Sequence, residues 1–282
     1  MDFRRFSELI LVRQTLFALP FAWLGILFAG GARPETWLWV TAALAAARTA
    51  GMAFNQVIDA GIDAQNPRTK NRPVARGDIH PAAVWALAGA CVLVLVFAAR
   101  MLNPLCFYLS FPAALMLFAY SYCKRFWAGS HFFLGAVEAA APVGGYLAVT
   151  GRFEVLALLP GAVILTWIAG LDIVYAIQDA KFDRDCGLYS IPAKLGDKNA
   201  LLLSTACYAI CLAAMVLTGM LTHMGFLYLA AVCAIGVIFA RQQVLARKKP
   251  VGPAIRTVFW LNMWVAPILF LGAAADVLRA SF

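Results

Sequence analysis

The sequence predicts an all-helical membrane protein that crosses the bilayer several times. Of its 282 residues, 63% are hydrophobic and 13% are charged, whereas soluble domains are about 45–50% apolar and about 25% charged. The apolar stretches are roughly 18–25 residues long, which is the length that a helix needs to span a bilayer and about twice what a barrel strand needs. We therefore expect one transmembrane domain over residues 1–282, and not a soluble protein.

Nine predicted spans follow the apolar stretches in chain order. They cover approximately residues 8–30, 36–60, 81–100, 103–121, 131–149, 153–179, 198–220, 223–245 and 254–278. Pro20 and Pro142 lie inside predicted spans, where a kink is expected. Arg4 and Arg5 precede the first stretch as in a signal peptide, but that stretch is long and further spans follow. It is therefore interpreted as the first transmembrane helix.

The cationic residues are distributed unequally between the predicted loops. Most of the 23 Lys and Arg residues, including Arg4, Arg5 and Arg13, fall on the side of the N-terminus. Positively charged loops remain in the cytoplasm, so we expect an inner (plasma) membrane protein whose N-terminus and polar loops are cytoplasmic. Topology and anionic lipid headgroups account for most of the net charge of +9. The lipid bilayer is therefore the expected partner, with no nucleic acid and no obligate protein partner.

A polar motif closes the second predicted span. Asn55, Asp59 and Asp63 are four residues apart, so they share one face of a helix, and Arg48 lies on the same stripe. Four cationic residues follow closely in the next loop: Arg68, Lys70, Arg72 and Arg76. Acidic groups that could hold a cation, next to basic groups that could hold an anion, indicate a metal–phosphate site.

The same pattern returns at the end of the sixth predicted span. Tyr175, Asp179 and Asp183 repeat the four-residue spacing, and Asp59 and Asp179 are separated by the same offset as Asp63 and Asp183. Each motif ends the second helix of a four-helix stretch and opens a cationic loop. We therefore expect two four-helix pseudo-repeats plus one helix around a central cavity, with the two carboxylate pairs facing each other.

Two carboxylate pairs of this kind suit a diphosphate that is held through Mg²⁺. Magnesium usually takes one or two carboxylates together with substrate phosphates, and metal and cations stabilise the charge on a departing diphosphate. If the attached chain is allylic, a carbocation forms, which requires a dry cavity lined by aromatic side chains. The aromatic candidates by position are Phe54, Tyr120, Trp167 and Tyr175.

Charged residues inside the predicted spans leave alternatives open. Arg48 would cost about 3 kcal/mol near the membrane centre, which favours a functional role over an ion pair with Asp59 or Glu138. Glu138 either balances a buried arginine or has a role of its own. Asp172 lies on the face of Asp179 and is either a further acid near the metal or a packing partner for Arg48. Three histidines form no recognisable cluster with other polar residues and are interpreted as lying at the membrane interface: His80, His131 and His223.

With both motifs in these places, the sequence resembles the UbiA superfamily of membrane-embedded prenyltransferases. The family signature is NxxxDxxxD on the second helix, present here from Asn55 to Asp63, and YxxxDxxxD on the sixth, present from Tyr175 to Asp183. The resemblance covers nearly the whole chain. Residues 17–20, 48–55 and 190–194 are most similar to the 4-hydroxybenzoate polyprenyltransferase branch, which serves ubiquinone biosynthesis and has relatives in menaquinone biosynthesis.

The resemblance implies a role for each signature residue. The residues that would hold Mg²⁺ and the polyprenyl diphosphate are Asn55, Asp59, Asp63, Asp179 and Asp183, of which the four acids, with Tyr175, would be catalytic. Those that would contact the diphosphate are Arg68, Arg72, Lys124 and Lys194, with Tyr120 and Tyr175 near the breaking bond. Arg48 and Asp172 would bind the aromatic acid. The ring carbon ortho to its hydroxyl would accept the polyprenyl group, and Asp172 or Asp183 could take the ring proton.

Other functions remain open at this stage. Dihydroxynaphthoate, homogentisate or haem could replace 4-hydroxybenzoate as the acceptor, and the length of the prenyl chain is not decided by the sequence. A transporter for a divalent cation or a phospholipid would also place charges within membrane helices. The acidic residues cluster at one face with no equivalent opening on the other, which favours the enzyme.

Overall fold

The computed structural model describes Leu9, residues 12–248 and residues 251–280. In these residues every regular element is helical and there is no strand, so the predicted all-helical class is confirmed. Arg4, Arg5 and the side chain of Arg13, which entered the topology prediction, lie outside what the structure describes.

The helices of the described residues, in chain order, are α1 (Val12–Phe28), α2 (Pro34–Ile58), α3 (Ala60–Gln65), α4 (Pro81–Leu102), α5 (Pro104–Cys123), α6 (Ser130–Thr150), α7 (Leu158–Ala176), α8 (Ala180–Asp185), α9 (Ile191–Leu221), α10 (Phe226–Ala246), α11 (Val251–Asn262) and α12 (Val265–Ala280). Short 3₁₀ turns at Val155–Ala157 and Ile177–Asp179 flank α7. Pro34, Pro81 and Pro192 lie at the starts of α2, α4 and α9, where their missing N–H costs no helical hydrogen bond.

Seven helical segments within the described residues are long and apolar enough to cross a membrane, and nine spans were predicted. The count of nine is therefore wrong by this measure, although the membrane class is confirmed. The first predicted span contributes only Ala18–Phe28 as a shorter apolar helix. Helix α2 is 25 residues long, but Glu35, Arg48 and many alanines lower its mean hydropathy below that of the seven segments.

Two other predicted spans have different boundaries in the structure. Helix α9 begins at Ile191, before the predicted start at residue 198, and bends at Gly196, whose φ of 77° is readily adopted only by glycine. The last predicted span is interrupted between Asn262, where α11 ends, and Val265, where α12 begins. Pro267 lies in the first turn of α12, where proline is tolerated.

By their internal contacts, the described residues fall into two compact units. The first unit comprises the described residues within 1–19 and residues 33–122. In it, α2 packs along α4 around buried residues that include Ala50, Ala53 and Val84. The ring of Phe54 meets Phe118 at a centroid distance of 5.5 Å. This packing fixes the last turns of α2, which carry the first acidic motif.

The second unit comprises residues 20–32 and the described residues within 123–282. Helix α7 packs between α6 and α9. The backbone of Gly145 in α6 lies so close to Ala22 that a Cβ there would clash with the Ala22 carbonyl, the close approach that small residues permit between membrane helices. Ser204 of α9 donates to the carbonyl oxygen of Gly170 at 2.7 Å, and Gln243 of α10 donates to Ser204 at 2.8 Å. These bonds hold α7 just before it reaches Asp172.

Candidate active site

In the first unit, the acidic motif lies where α2 ends and α3 begins. Asp59 adopts φ −93° and ψ 5°, in the sparsely populated region where many active-site residues are found. The predicted helix is therefore interrupted at Asp59. The N–H of Asp59 still donates to the Asn55 carbonyl at 3.0 Å, and that of Asp63 to the Asp59 carbonyl at 2.8 Å. The four-residue periodicity thus continues across the break.

Direct side-chain contacts join the members of this first motif. The Asn55 amide donates to Asp59 Oδ2 at 2.8 Å. Arg72 Nη1 donates to Asp63 Oδ2 at 2.8 Å and lies 3.4 Å from Asn55 Oδ1. Asp63 is 6% exposed. Arg72, one of the residues predicted to contact the diphosphate, is therefore held against the motif by a buried carboxylate.

The loop after the first motif is shaped by two buried polar residues that the sequence interpretation did not single out. Asn66 Oδ1 accepts the backbone N–H of Arg68 at 2.9 Å. Thr69 donates to the Asp63 carbonyl at 3.3 Å, and its own carbonyl accepts the N–H of Arg72 at 2.8 Å. An asparagine that bonds to the backbone two residues on is a frequent turn signal and could have identified Asn66. The Arg68 side chain remains exposed.

Two further predicted site residues of this unit lie on neighbouring helices. Arg48 is half-buried on α2, two turns before Asn55, and Tyr120 is half-buried near the end of α5. Neither side chain is fully exposed, so both remain candidates for contact with a substrate.

In the second unit, the acidic motif has the same local geometry as the first. Helix α7 gives way to a 3₁₀ turn at Ile177–Asp179, and Asp179 adopts φ −98° and ψ −3°, close to the values of Asp59. Asp179 and Asp183 are 4% and 3% exposed. One turn earlier, the ring of Tyr175 packs on Phe259 of α11 with a centroid distance of 6.2 Å.

One oxygen of the second motif is suited to a cation. Asp183 Oδ2 is buried and has no hydrogen-bond partner among the described residues. A buried polar atom without a hydrogen-bond partner costs about 1–3 kcal/mol, and a bound cation would remove that cost. No three His, Cys, Asp or Glu side chains in the part of the chain that the structure describes form a metal site by themselves. Carboxylate and amide oxygens are the donors that Mg²⁺ takes, usually one or two with phosphates, so the residues present fit this ion.

The segment that follows Asp183 leads to Lys194 and is bonded through its backbone to Asp183 and to Lys124. The Asp183 carbonyl accepts the N–H of Leu188 at 2.8 Å, and the Lys124 carbonyl accepts the N–H of Tyr189 at 2.7 Å. Ser190 then caps α9 by accepting the N–H of Ala193 at 3.4 Å. Lys194 lies in the first turn of α9 with an exposed side chain. The segments bearing Asp183, Lys124 and Lys194 are thus tied together through the backbone.

The interpretation of His131 as an interfacial residue without partners is wrong. Its side chain is fully buried, Nδ1 lies 2.7 Å from Asp172 Oδ2, and Nε2 accepts the N–H of Ile191 at 3.2 Å. The reason is its place at the start of α6, which packs against α7. An acid such as Asp172 within a membrane helix requires a partner, and that signal could have identified the pair. His80 and His223 are exposed.

These features define a multi-pass membrane protein with two acid-centred sites, each associated with nearby cationic residues. Residues 18–265 match the model of the UbiA prenyltransferase family. A UbiA homologue from Aeropyrum pernix K1, solved in its apo form, is 31% identical with a TM-score of 0.86, covering 93% of this chain and 98% of that chain. The chain therefore belongs to the UbiA prenyltransferase family and is a prenyltransferase.

Two other proteins show how far this likeness extends. A 4-hydroxybenzoate octaprenyltransferase from Xanthomonas campestris pv. campestris (strain B100) is 32% identical over 278 residues, covering 97% of this chain and 89% of the relative. A UbiA homologue from Archaeoglobus fulgidus, solved with GPP and Mg²⁺ bound, has a TM-score of 0.65 at 16% identity, covering 96% of this chain and 99% of that chain. The second likeness is one of fold.

Proposed function

We propose that the protein transfers a polyprenyl group from polyprenyl diphosphate to the ring carbon ortho to the hydroxyl of 4-hydroxybenzoate, or of a close aromatic acid, in ubiquinone biosynthesis. The observation that carries the proposal is the repeated acidic motif, with its middle aspartate at a helix break and its last aspartate buried. The 4-hydroxybenzoate octaprenyltransferase relative supports the choice of acceptor.

Binding of the diphosphate would be shared by acidic and basic residues. Asn55, Asp59, Asp63, Asp179 and Asp183 would hold Mg²⁺, which when bound neutralises charge on the leaving diphosphate. The bond from Arg72 to Asp63 keeps its guanidinium in one place before the substrate arrives, which lowers the cost of ordering it. Arg68 and Lys194, whose side chains are exposed, would contact the diphosphate, and Lys124 would contribute a further cation.

The acceptor would be positioned by Arg48, whose guanidinium suits a carboxylate. The bond between the allylic carbon and the diphosphate oxygen breaks, and the ring carbon ortho to the hydroxyl forms a bond to that allylic carbon. The aromatic rings of Tyr120 and Tyr175 would stabilise the positive charge that develops on the chain. The displaced ring proton passes to a carboxylate, for which Asp172 and Asp183 are the candidates, and diphosphate leaves.

The orientation of the protein in the membrane is part of the same proposal. Both acidic motifs open loops that are rich in Lys and Arg, and such loops remain in the cytoplasm. We infer that the N-terminus and the site opening face the cytoplasm, at the inner (plasma) membrane, where soluble aromatic acids and diphosphate are accessible.

The proposal is tested with purified full-length protein and a labelled polyprenyl diphosphate. The acceptors are 4-hydroxybenzoate, dihydroxynaphthoate and homogentisate, each with Mg²⁺ or with EDTA. We expect the largest product yield with 4-hydroxybenzoate, none with EDTA, and none from Asp59→Ala or Asp179→Ala. Asp78→Ala and Asp197→Ala, which change acids outside the motifs, serve as controls with normal activity. Full activity in both motif variants would contradict the proposal.

A further inference from the structure

His131 lies at a junction of three helices beside the second acidic motif. A backbone N–H can only donate, so His131 Nε2 must accept the hydrogen of Ile191. The ring proton is then on Nδ1, which donates to Asp172 Oδ2 at 2.7 Å. The two hydrogen bonds therefore select one neutral tautomer of the imidazole.

The two partners of His131 lie on elements that carry the proposed chemistry. Asp172 lies two turns before Asp179 on α7, and Ile191 is the first residue of α9, one turn before Lys194. The segment between the motif and α9 is also tied at Leu188 and Tyr189. His131 thus fixes the end of that segment, while the side chain itself is fully buried and cannot reach a substrate.

We propose that His131 is a positioning residue for prenyl transfer. Its Nδ1–H holds the Asp172 carboxylate in one orientation, and its Nε2 holds the start of α9 so that Lys194 stays near the motif. This inference rests on the proposed function for its kinetic consequence, whereas the tautomer and the binding of prenyl diphosphate do not depend on the identity of the acceptor.

Two substitutions separate this role from simple packing. His131→Phe keeps a ring of similar size and removes both hydrogen bonds. His131→Gln keeps a donor and an acceptor in the side-chain amide. Its NH₂ group can donate to Asp172, and its oxygen can accept the N–H of Ile191. His223→Asn is the control, because His223 is exposed and has a φ of 55°, which asparagine tolerates.

The kinetic test measures kcat and KM for both substrates in folded variants. A hydrogen bond to a charged group corresponds to about a tenfold to hundredfold effect, so we expect His131→Phe to lose that much in kcat/KM. His131→Gln should recover most of it. In an Asp172→Ala background, His131→Phe should cost less than in the wild type, since part of its action passes through Asp172. Equal losses for Phe and Gln, or additive losses with Asp172→Ala, would overturn the proposal.

The second test does not depend on the acceptor. The chain contains three histidines, so spectra of protein labelled with ¹⁵N in the histidine rings are simple, and His131→Gln identifies the signal of His131. We expect the neutral Nδ1–H tautomer, with the Nδ1 signal shifted in Asp172→Ala because that variant lacks the acceptor of its hydrogen bond, and weaker binding of prenyl diphosphate with Mg²⁺ in His131→Phe but not in His131→Gln. A neutral Nε2–H tautomer or a charged ring would overturn the inference. If the wild type prenylates no aromatic acid but these results hold, the proposed function fails and the positioning role stands.

Discussion

The two acidic regions of the molecule share a backbone geometry and differ in how their last carboxylate is compensated. Asp59 and Asp179 have nearly the same φ and ψ at the helix break. Asp63 is buried and bonded to Arg72, whereas Asp183 is buried with one oxygen that has no hydrogen-bond partner among the described residues. A repeated sequence pattern has thus produced one motif whose last aspartate is paired with an arginine and one whose last aspartate keeps a buried oxygen that could bind a cation.

Neutralising the last aspartate is expected to separate the two regions most clearly. Asp183→Asn removes an uncompensated buried charge, so the apo protein should be stabilised by about 1 kcal/mol, or about 2–4 °C in Tm. Asp63→Asn weakens the bond to Arg72, which is partly exposed, and should destabilise by about 1–2 kcal/mol. Thermal unfolding in detergent without Mg²⁺ measures both. Both variants should lose prenyl transfer.

The same pair of variants provides its own control. Ligands stabilise the folded state that they bind, so added Mg²⁺ and a prenyl diphosphate analogue should raise the Tm of the wild type. The Tm of Asp183→Asn should rise much less, because this variant lacks the carboxylate that is proposed to hold Mg²⁺. If Asp183→Asn lowered the apo Tm as much as Asp63→Asn, the two regions would not differ in the way that the structure indicates.

A second prediction concerns the cation that belongs to the first region. Arg72→Lys keeps the charge but replaces the guanidinium, whose Nη1 contacts Asp63 and Asn55, with a more flexible and more strongly hydrated ammonium, so the KM for prenyl diphosphate should rise about tenfold while kcat changes less. Arg76→Lys is the matched control, since Arg76 pairs with Asp78 in the same loop, outside the motif. An unchanged KM in Arg72→Lys would show that the contact with Asp63 has no part in binding.

The last prediction concerns the side of the membrane that Cys186 faces. Cys186 is an exposed cysteine that follows the second motif. If the loops that follow the acidic motifs are cytoplasmic, a membrane-impermeant maleimide should label Cys186 in inverted vesicles and not in right-side-out vesicles. Cys186→Ser identifies the band. Labelling from the outer side alone would reverse the proposed orientation.

Much of the site follows from spacing in the sequence, because a four-residue repeat places side chains on one face whether or not the helix is continuous. The contact of Asn55 with Asp59 belongs to this group, whereas the bond from Arg72 to Asp63 was not predicted. The predicted spans end near residues 60 and 179, but the continuation of the chain as the short helices α3 and α8 directly after Asp59 and Asp179 was not predicted. The partners of His131 are 41 and 60 residues away in the chain, and no local pattern reports such contacts.

The number of spans was overestimated at the first two predicted spans. The described part of the first span contributes only the shorter apolar helix Ala18–Phe28. Helix α2 carries Glu35, Arg48 and many alanines, so its hydropathy falls below that of the seven segments. This is also the helix that leads into the first acidic motif.

The most direct test of the central claim is the product formed by purified wild-type protein from polyprenyl diphosphate, 4-hydroxybenzoate and Mg²⁺. The account predicts one diphosphate released for each aromatic acid that gains a polyprenyl group on the ring carbon ortho to its hydroxyl, as mass spectrometry and proton NMR can establish. Release of diphosphate without a prenylated aromatic acid, or the same product from Asp179→Ala, would contradict it.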